Sequence, residues 1–456
     1  MASSSLQYLF LSSLSIFFYL LSHSSAAQIA LQPKGSTAIH LPVRTNTTSH
    51  SHQYYTTLEL GDRDPSTLNV IRNEVSVVID LGGQRTWIDC DKYNSTSYRP
   101  ISCGSRKCEA AKGIGCMDCT LPGPPRPGCT NDTCGSDAYN PIKNLLYAAG
   151  LGEDVMEVYS TDGQSAISSN TVPDFPFSCG ASAQLRGLAF GTIGMVGLAR
   201  SPISLTTKIA SAFKLPHPKK FALCLPSSMT GSGDIFIGGG PYYMLPYTKD
   251  LSKSLATTPL LINPVSTAPL YSEGDPSDEY FVDVKFIRVS GIRLGSFNAS
   301  LLAIDKQGNG GTKLSTVAPH TVLQNSIYRS VVNKFVKMAA LKKITRVASV
   351  SPFGACFDSK TIGTSSTGPD VPVIDLVFQK GVYWRIYGAN LMVRVKTGAL
   401  CLGLVDGGAA PRTSVVLGGH QLENYLVEFD LGSSMLGFSS SLLLHNTSCS
   451  HNRIFQ

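Results

Sequence analysis

Two segments of this chain carry an apolar β-run into a tight turn. Each is answered further along by an apolar-apolar-Gly triplet that precedes a helical stretch. In the first half the run is Val77-Val78-Ile79-Asp80, the turn Leu81-Gly82-Gly83 and the triplet Met195-Val196-Gly197. In the second half the run is Lys313-Leu314-Ser315, the turn Thr316-Val317-Ala318 and the triplet Val416-Leu417-Gly418. Such a repeat calls for two similar lobes, each with a glycine strand that lets one backbone pass close to another. The repeat breaks at one chemically important place, where a carboxylate in the first copy is answered by a hydroxyl in the second.

The rest of the chain favours β-structure. Charged residues make up only 15% of it, and short β-rich runs alternate with Gly, Pro, Asn and Asp turns. The clearest runs are Tyr54–Leu60, Val75–Leu81, Phe221–Leu225, Asp234–Gly238 and Tyr280–Ser290. Helical spacing of apolar residues is confined to Ile203–Phe213 and Asn325–Leu341. An all-β, bilobal protein with few helices is expected. Its lobes span 28–242, which includes a cysteine-rich insertion, and 243–456, with the boundary in the Gly/Pro/Tyr-rich stretch Gly238–Tyr247. Residues 1–27 read as a secretory leader, an apolar run from Leu6 to Leu21 followed by Ser25-Ala26-Ala27. That run is too short to anchor in a bilayer, and no later stretch is long enough, so a soluble, secreted monomer is expected. The net charge of +7 is diffuse. This argues against nucleic acid as a partner and for attraction to acidic ones, such as wall polysaccharide or acidic enzymes.

The chain has 12 cysteines, an even number that suits disulfides in an oxidising compartment. Eight are expected to pair within the first lobe: Cys90, Cys103, Cys108, Cys116, Cys119, Cys129, Cys134 and Cys179. The remaining four are expected to pair as Cys224 with Cys449 and Cys356 with Cys401, a connectivity that spacing alone leaves open. Cys116-Met117-Asp118-Cys119 is read as structural rather than as a redox or zinc pair. The proline-rich stretch Leu121–Gly128 is read as a rigid loop inside this cluster. Five sequons begin at Asn46, Asn94, Asn131, Asn298 and Asn446, and glycans on some of them are expected.

Further segments carry a family resemblance. They are Val78–Gly83, Trp87–Cys90, Arg126–Cys134, Gly310–Thr316, Ile344–Val350, Pro352–Cys356, Arg412–Leu422 and Val427–Leu431. Across both lobes and in order, these resemble the plant pepsin-like proteins that lost protease function. That group includes xyloglucan-specific endoglucanase inhibitors, extracellular dermal glycoprotein, basic 7S globulins and xylanase inhibitors, and the first two are the most alike. Aspartic proteolysis needs two carboxylates about 3 Å apart sharing one proton. Asp80 is one such group; Ser315, at the matching place, neither ionises nor supplies a pH-matched proton. Both are read as vestigial and the chain as a pseudoenzyme. Leu81 stands where a protease has Thr or Ser. Val317 stands where it has Gly, so strain is expected in that turn. Asp305 is read as a strand-end or turn residue and Asp89 as a surface residue beside a disulfide. Tyr159 is read either as the flap residue or as plain strand.

Other chemistries find little support. The nine histidines show no metal-ligand spacing, His50-Ser51-His52 reads as a flexible N-terminal segment, and no cofactor or metal is expected. The resemblance implies an inhibitor of microbial glycoside hydrolases, foremost a family-12 xyloglucanase and then xylanases, acting in the apoplast and cell wall as plant defence. It assigns partner-binding arginines to Arg346 and Arg412, the latter after a flexible turn, Val405–Pro411. His420 is expected near the lobe interface. Two other readings remain open: a peptide- or carbohydrate-binding or storage protein like the basic seed globulins, and an unusual aspartic protease.

Overall fold

The computed structural model describes residues 35–48, 51–61, 73–118, 126–271 and 273–450. The leader over 1–27, His50, Cys119 and residues 121–125 of the proline-rich loop lie outside them.

The repeat read from the sequence is a repeat of strand pairings. Asn73–Asp80 runs parallel to Gly194–Gly197, with Asp80 opposite Gly197. Gly194–Gly197 pairs antiparallel with Trp87–Asp89, which runs parallel to the end of Ala166–Gly180. The second lobe repeats all three relations. Thr312–Leu314 is parallel to Val415–Leu417, that strand is antiparallel to Thr321–Leu323, and Thr321–Leu323 is parallel to Leu404–Asp406. The glycines are required where the backbones cross. A Cβ on Gly197 would lie 2.3 Å from the Gly83 carbonyl oxygen, and one on Gly418 would lie 2.4 Å from the His320 carbonyl carbon.

One antiparallel sheet joins the lobes. Lys220–Cys224 of the first pairs with Leu426–Asp430 of the second. Outward from that seam lie Gly233–Ile237 and Ala38–Thr48 on one side, and Met435–Phe438 and Ala256–Leu261 on the other. Phe221 and Phe429 stack across the seam at 4.6 Å, and Tyr280 packs against both. Burying aromatic surface on both sides gives the joint its hydrophobic drive.

The two expected helices form at Leu205–Ala212 and Asn325–Leu341. Tyr280–Ser290 is not one strand. Phe281–Val282 belongs to the large sheet, whereas Phe286–Val289 joins a separate sheet beside Ile374–Val377. The chain changes sheets between them, which alternation of residue types does not signal. His52 is also not in a flexible segment, because it lies in the strand Ser51–Leu60.

The disulfides are Cys90–Cys179, Cys103–Cys116, Cys108–Cys134, Cys224–Cys449 and Cys356–Cys401, and Cys129 is disulfide-bonded too. The two pairs expected among the last four cysteines are both present. Asn94, Asn131, Asn298 and Asn446 are exposed, whereas Asn46 is half-buried within a strand.

Cys224–Cys449 ties a first-lobe strand to a residue 225 positions away, near the end of the second lobe. A single proteolytic nick at the exposed Lys249 should therefore leave one species on a non-reducing gel and two on a reducing gel. Separation without reductant would refute this.

Candidate functional site

The two repeated turns meet at a cleft of about 160 Å³ with walls from both lobes. Asp80 ends its strand there, with its Oδ1 accepting from the Gly82 N–H at 2.9 Å. Ser315 follows Thr312–Leu314, and its N–H donates to the Leu417 carbonyl at 2.9 Å, so it stands beside Gly418 as Asp80 stands beside Gly197. The Ser315 hydroxyl accepts from the Ala318 N–H at 3.2 Å. Both residues line the same cleft.

Thr316 connects the turns. Its buried hydroxyl donates to the Ile79 carbonyl at 2.6 Å and accepts from the Leu81 N–H at 2.9 Å. Leu81 has no hydroxyl with which to return these bonds, so the side-chain crossing runs in one direction only. The strain expected at Val317 is absent, because it has no left-handed backbone. Val317 instead packs beside the cluster of Val78, Trp87, Ala138, Ala149, Ala189 and Met195.

The cleft holds more charge than its turns suggest. Glu279 reaches across from the second lobe. A Cβ on Gly82 would sit 3.1 Å from its Oε1 and 3.5 Å from Asp80 Oδ1, so both carboxyls lie against the same glycine. Lys313 donates to Glu279 Oε1 at 2.7 Å, and the Thr267 hydroxyl donates to Oε2. Gln84 donates to Asp278 at 2.6 Å. Deeper in the wall, the buried Arg85 pairs with Asp137 at 2.5 Å and donates to Ser136 at 2.6 Å. Burial pushes the Asp80 carboxyl up to about 6; Glu279 adds to the rise, while the Gly82 N–H and Lys313 oppose it.

The tyrosine of this cleft is Tyr139, on the strand Thr133–Asn140. Its pKa is raised by burial and by the nearby Asp80 and Glu279, and its carbonyl accepts from Trp87 Nε1 at 2.8 Å. Tyr159 is a strand residue outside the lining of this cleft, and its hydroxyl donates to Glu59 at 3.2 Å. Asp305 caps an exposed turn, accepting from the Gln307 and Asn309 N–H groups. Asp89 accepts from Ser182 beside the Cys90–Cys179 bridge.

Arg346 and Arg412 stand outside the cleft and are exposed. Arg346 donates to the Gly354 carbonyl at 3.1 Å, and Arg412 to the Val265 carbonyl at 3.4 Å. Among the described residues, neither guanidinium has a carboxylate partner. The turn before Arg412 is braced rather than free. Asn325 donates to the Gly408 carbonyl at 2.8 Å through its N–H and to Asp406 at 2.6 Å through its side chain, and Gln324 donates to the Ala409 carbonyl at 2.8 Å. Val265 adjoins Ser266 and Thr267 of the cleft wall, so Arg412 flanks one rim.

Two predictions follow from this geometry. Thr316→Val leaves the Leu81 N–H and the Ile79 carbonyl unsatisfied between the lobes, so it should cost about 2–3 kcal/mol in denaturant unfolding; a loss under about 0.5 kcal/mol would refute the crossing role. Asp80 has a folded pKa of about 6 against an ordinary 3.8, so the native state is penalised as pH rises through that window. Asp80→Asn should therefore match the parent in stability near pH 4 and exceed it by on the order of 2 kcal/mol above pH 6. A pH-independent difference would refute that shift.

Residues 54–239 match the family described as Xylanase inhibitor N-terminal, and residues 279–440 match Xylanase inhibitor C-terminal. The chain is 44% identical to the probable aspartic proteinase GIP2 of Nicotiana benthamiana, over 95% of both chains. It is 38% identical to the basic 7S globulin of Glycine max, over 82% of this chain and 84% of that one. Its fold matches the crystal structure of edgp with a TM-score of 0.85 at 44% identity, covering 92% of this chain and 99% of that one. With both halves matched and the pairings of both lobes in register, the chain belongs to the xylanase-inhibitor family of pepsin-like, aspartic-proteinase homologues.

Proposed function

We propose that this chain is a secreted, catalytically inactive pepsin-like protein that inhibits microbial glycoside hydrolases in the plant cell wall, with family-12 xyloglucan endoglucanases as first targets. The observation that carries this reading is the pair of exposed guanidiniums, Arg346 and Arg412, bonded to backbone carbonyls and to no carboxylate among the described residues. A retaining glycosidase presents two carboxylates about 5 Å apart in an open cleft. An arginine held on a braced loop meets such a group with charge-assisted, bidentate hydrogen bonds, and little side-chain entropy is lost in forming them. Sugar is then excluded with no chemistry on the inhibitor.

Inactivity rests on Ser315. The carboxylate in this cleft that lies against the Asp80 turn from the other lobe is Glu279, and its oxygens are engaged by Lys313 and Thr267. It is not free to share a proton with Asp80. The disulfides support secretion into an oxidising compartment, and the exposed sequons Asn94, Asn131, Asn298 and Asn446 would carry glycans there. Relatives named as globulins, such as the basic 7S globulin of Glycine max, support a storage or ligand-binding role as the second reading.

Purified protein should abolish family-12 xyloglucanase activity stoichiometrically at mildly acidic pH. Arg346→Ala or Arg412→Ala should weaken this roughly 10- to 100-fold, about 1.4–2.8 kcal/mol. Asp80→Asn should leave it unchanged. Full activity across family-12 and family-11 enzymes would sink the inhibitor reading in favour of storage or ligand binding. Pepstatin-sensitive proteolysis at acid pH that Asp80→Asn removes would sink the claim of inactivity.

A further inference from the structure

We propose that His52, His420 and Glu423 form a binding site for a divalent transition-metal ion, zinc foremost, that bridges the two lobes. His52 belongs to the first-lobe strand Ser51–Leu60. His420 lies in the short helix Gly419–Leu422, and Glu423 directly follows it, just past the glycine of the second-lobe repeat. That helix is seated hard against the strand, since a Cβ on Gly419 would come 2.4 Å from the Tyr54 ring. The site is thus built where the lobes touch.

One donor atom from each of the three residues lies within 4.8 Å of the others. Zinc bonds to imidazole nitrogen and carboxylate oxygen measure about 2.0–2.2 Å, so closure on the ion asks for side-chain shifts of about an ångström. Two imidazoles and one carboxylate are a ligand set that suits zinc, and they leave a fourth position open. Without an ion, the carboxylate takes the central place itself. Glu423 Oε1 is 2.7 Å from His52 Nε2 and Oε2 is 3.1 Å from His420 Nδ1, while the Tyr54 hydroxyl donates to Oε1 at 3.0 Å.

The histidine rings around the cluster are not fully satisfied by hydrogen bonds. His420 is 8% exposed, yet its Nε2 is buried without a hydrogen-bond partner, and so is Nδ1 of His320. The two rings face each other edge to face, with centroids 5.7 Å apart. Unpartnered buried nitrogens are costly and uncommon. Outer support is also present. Asn390 donates to the His420 and Glu423 carbonyls at 2.9 and 2.8 Å, fixing the backbone of both ligands, and Tyr54 orients the carboxylate as an outer partner does. The His52 side chain keeps 13% exposure, which leaves an entry from solvent.

The competing account is a hydrogen-bonded His-Glu-His clasp with no affinity for metal. The test uses the full-length secreted protein, stripped with a chelator and titrated with zinc chloride by calorimetry and with cobalt chloride by visible absorption. The expected result is one equivalent bound, intense four-coordinate cobalt bands and a zinc-dependent rise in the unfolding temperature. His420→Gln and His52→Ala should each weaken zinc at least tenfold, while His217→Ala, an exposed histidine elsewhere, should change nothing. Equal binding by the parent and His420→Gln, or no binding at all, would overturn the proposal. If those variants fail to fold, X-ray absorption on the zinc-loaded parent decides the matter. Two or more imidazoles with one carboxylate oxygen support the site, and fewer than two imidazoles refute it.

Discussion

The antiparallel seam between Lys220–Cys224 and Leu426–Asp430 makes two lobes into one molecule, and the cleft depends on it. Each lobe alone would leave an open edge of unpaired backbone groups, a hazard that closed pairing removes. The seam also fixes the distance between the two repeated turns, so that the Thr316 hydroxyl finds both Ile79 and Leu81 within hydrogen-bond reach. Aromatic stacking of Phe221 on Phe429 and the Cys224–Cys449 bridge act on this same seam. A change there would be felt at Asp80 and at the histidine cluster alike, since both are assembled from the two halves.

Charge is distributed unequally between the inside and the outside of the cleft. Inside, Lys313 answers Glu279, Arg85 answers Asp137 and Gln84 answers Asp278, while burial pushes up the Asp80 and Asp278 carboxyls. Outside, Arg346 and Arg412 hold only carbonyl oxygens. Groups that are already satisfied have little to gain from a partner, whereas an exposed guanidinium with spare donors gains charge-assisted bonds on contact. This contrast moves attention from the cleft to the exposed arginines outside it.

Much of the architecture was legible because it rests on local chemistry. The apolar spacing of Asn325–Leu341 delimited that helix at both ends, and the Gly197 and Gly418 triplets marked strands that tolerate no side chain. Asp80 and Ser315 could be matched because each follows an apolar run of similar pattern. Other features depend on approach across the fold. His52 and His420 share no spacing, since a strand of one lobe and a short helix of the other bring them together. Tyr139 and Tyr159 both lie in β-rich sequence, and strand pairing alone decides that Tyr139 lines the cleft. Lys313 lies two residues before Ser315, but its partner Glu279 sits in a bend ahead of the strand Phe281–Val282, far away in sequence. The break within Tyr280–Ser290 reflects a change of sheet, which alternation cannot encode.

The position of Val317 bears on what a second carboxylate would cost here. Its side chain has been absorbed into the packing beside Trp87 and Met195, and Leu81 is wholly buried. Placing a carboxylate at Ser315 would set a second charge into a cavity that already raises Asp80, while trimming Val317 to glycine would open a void that large-to-small core changes make costly. Each of these changes is thus opposed by contacts around the turn, so a two-carboxylate site here demands several simultaneous substitutions, each unfavourable until the others are made.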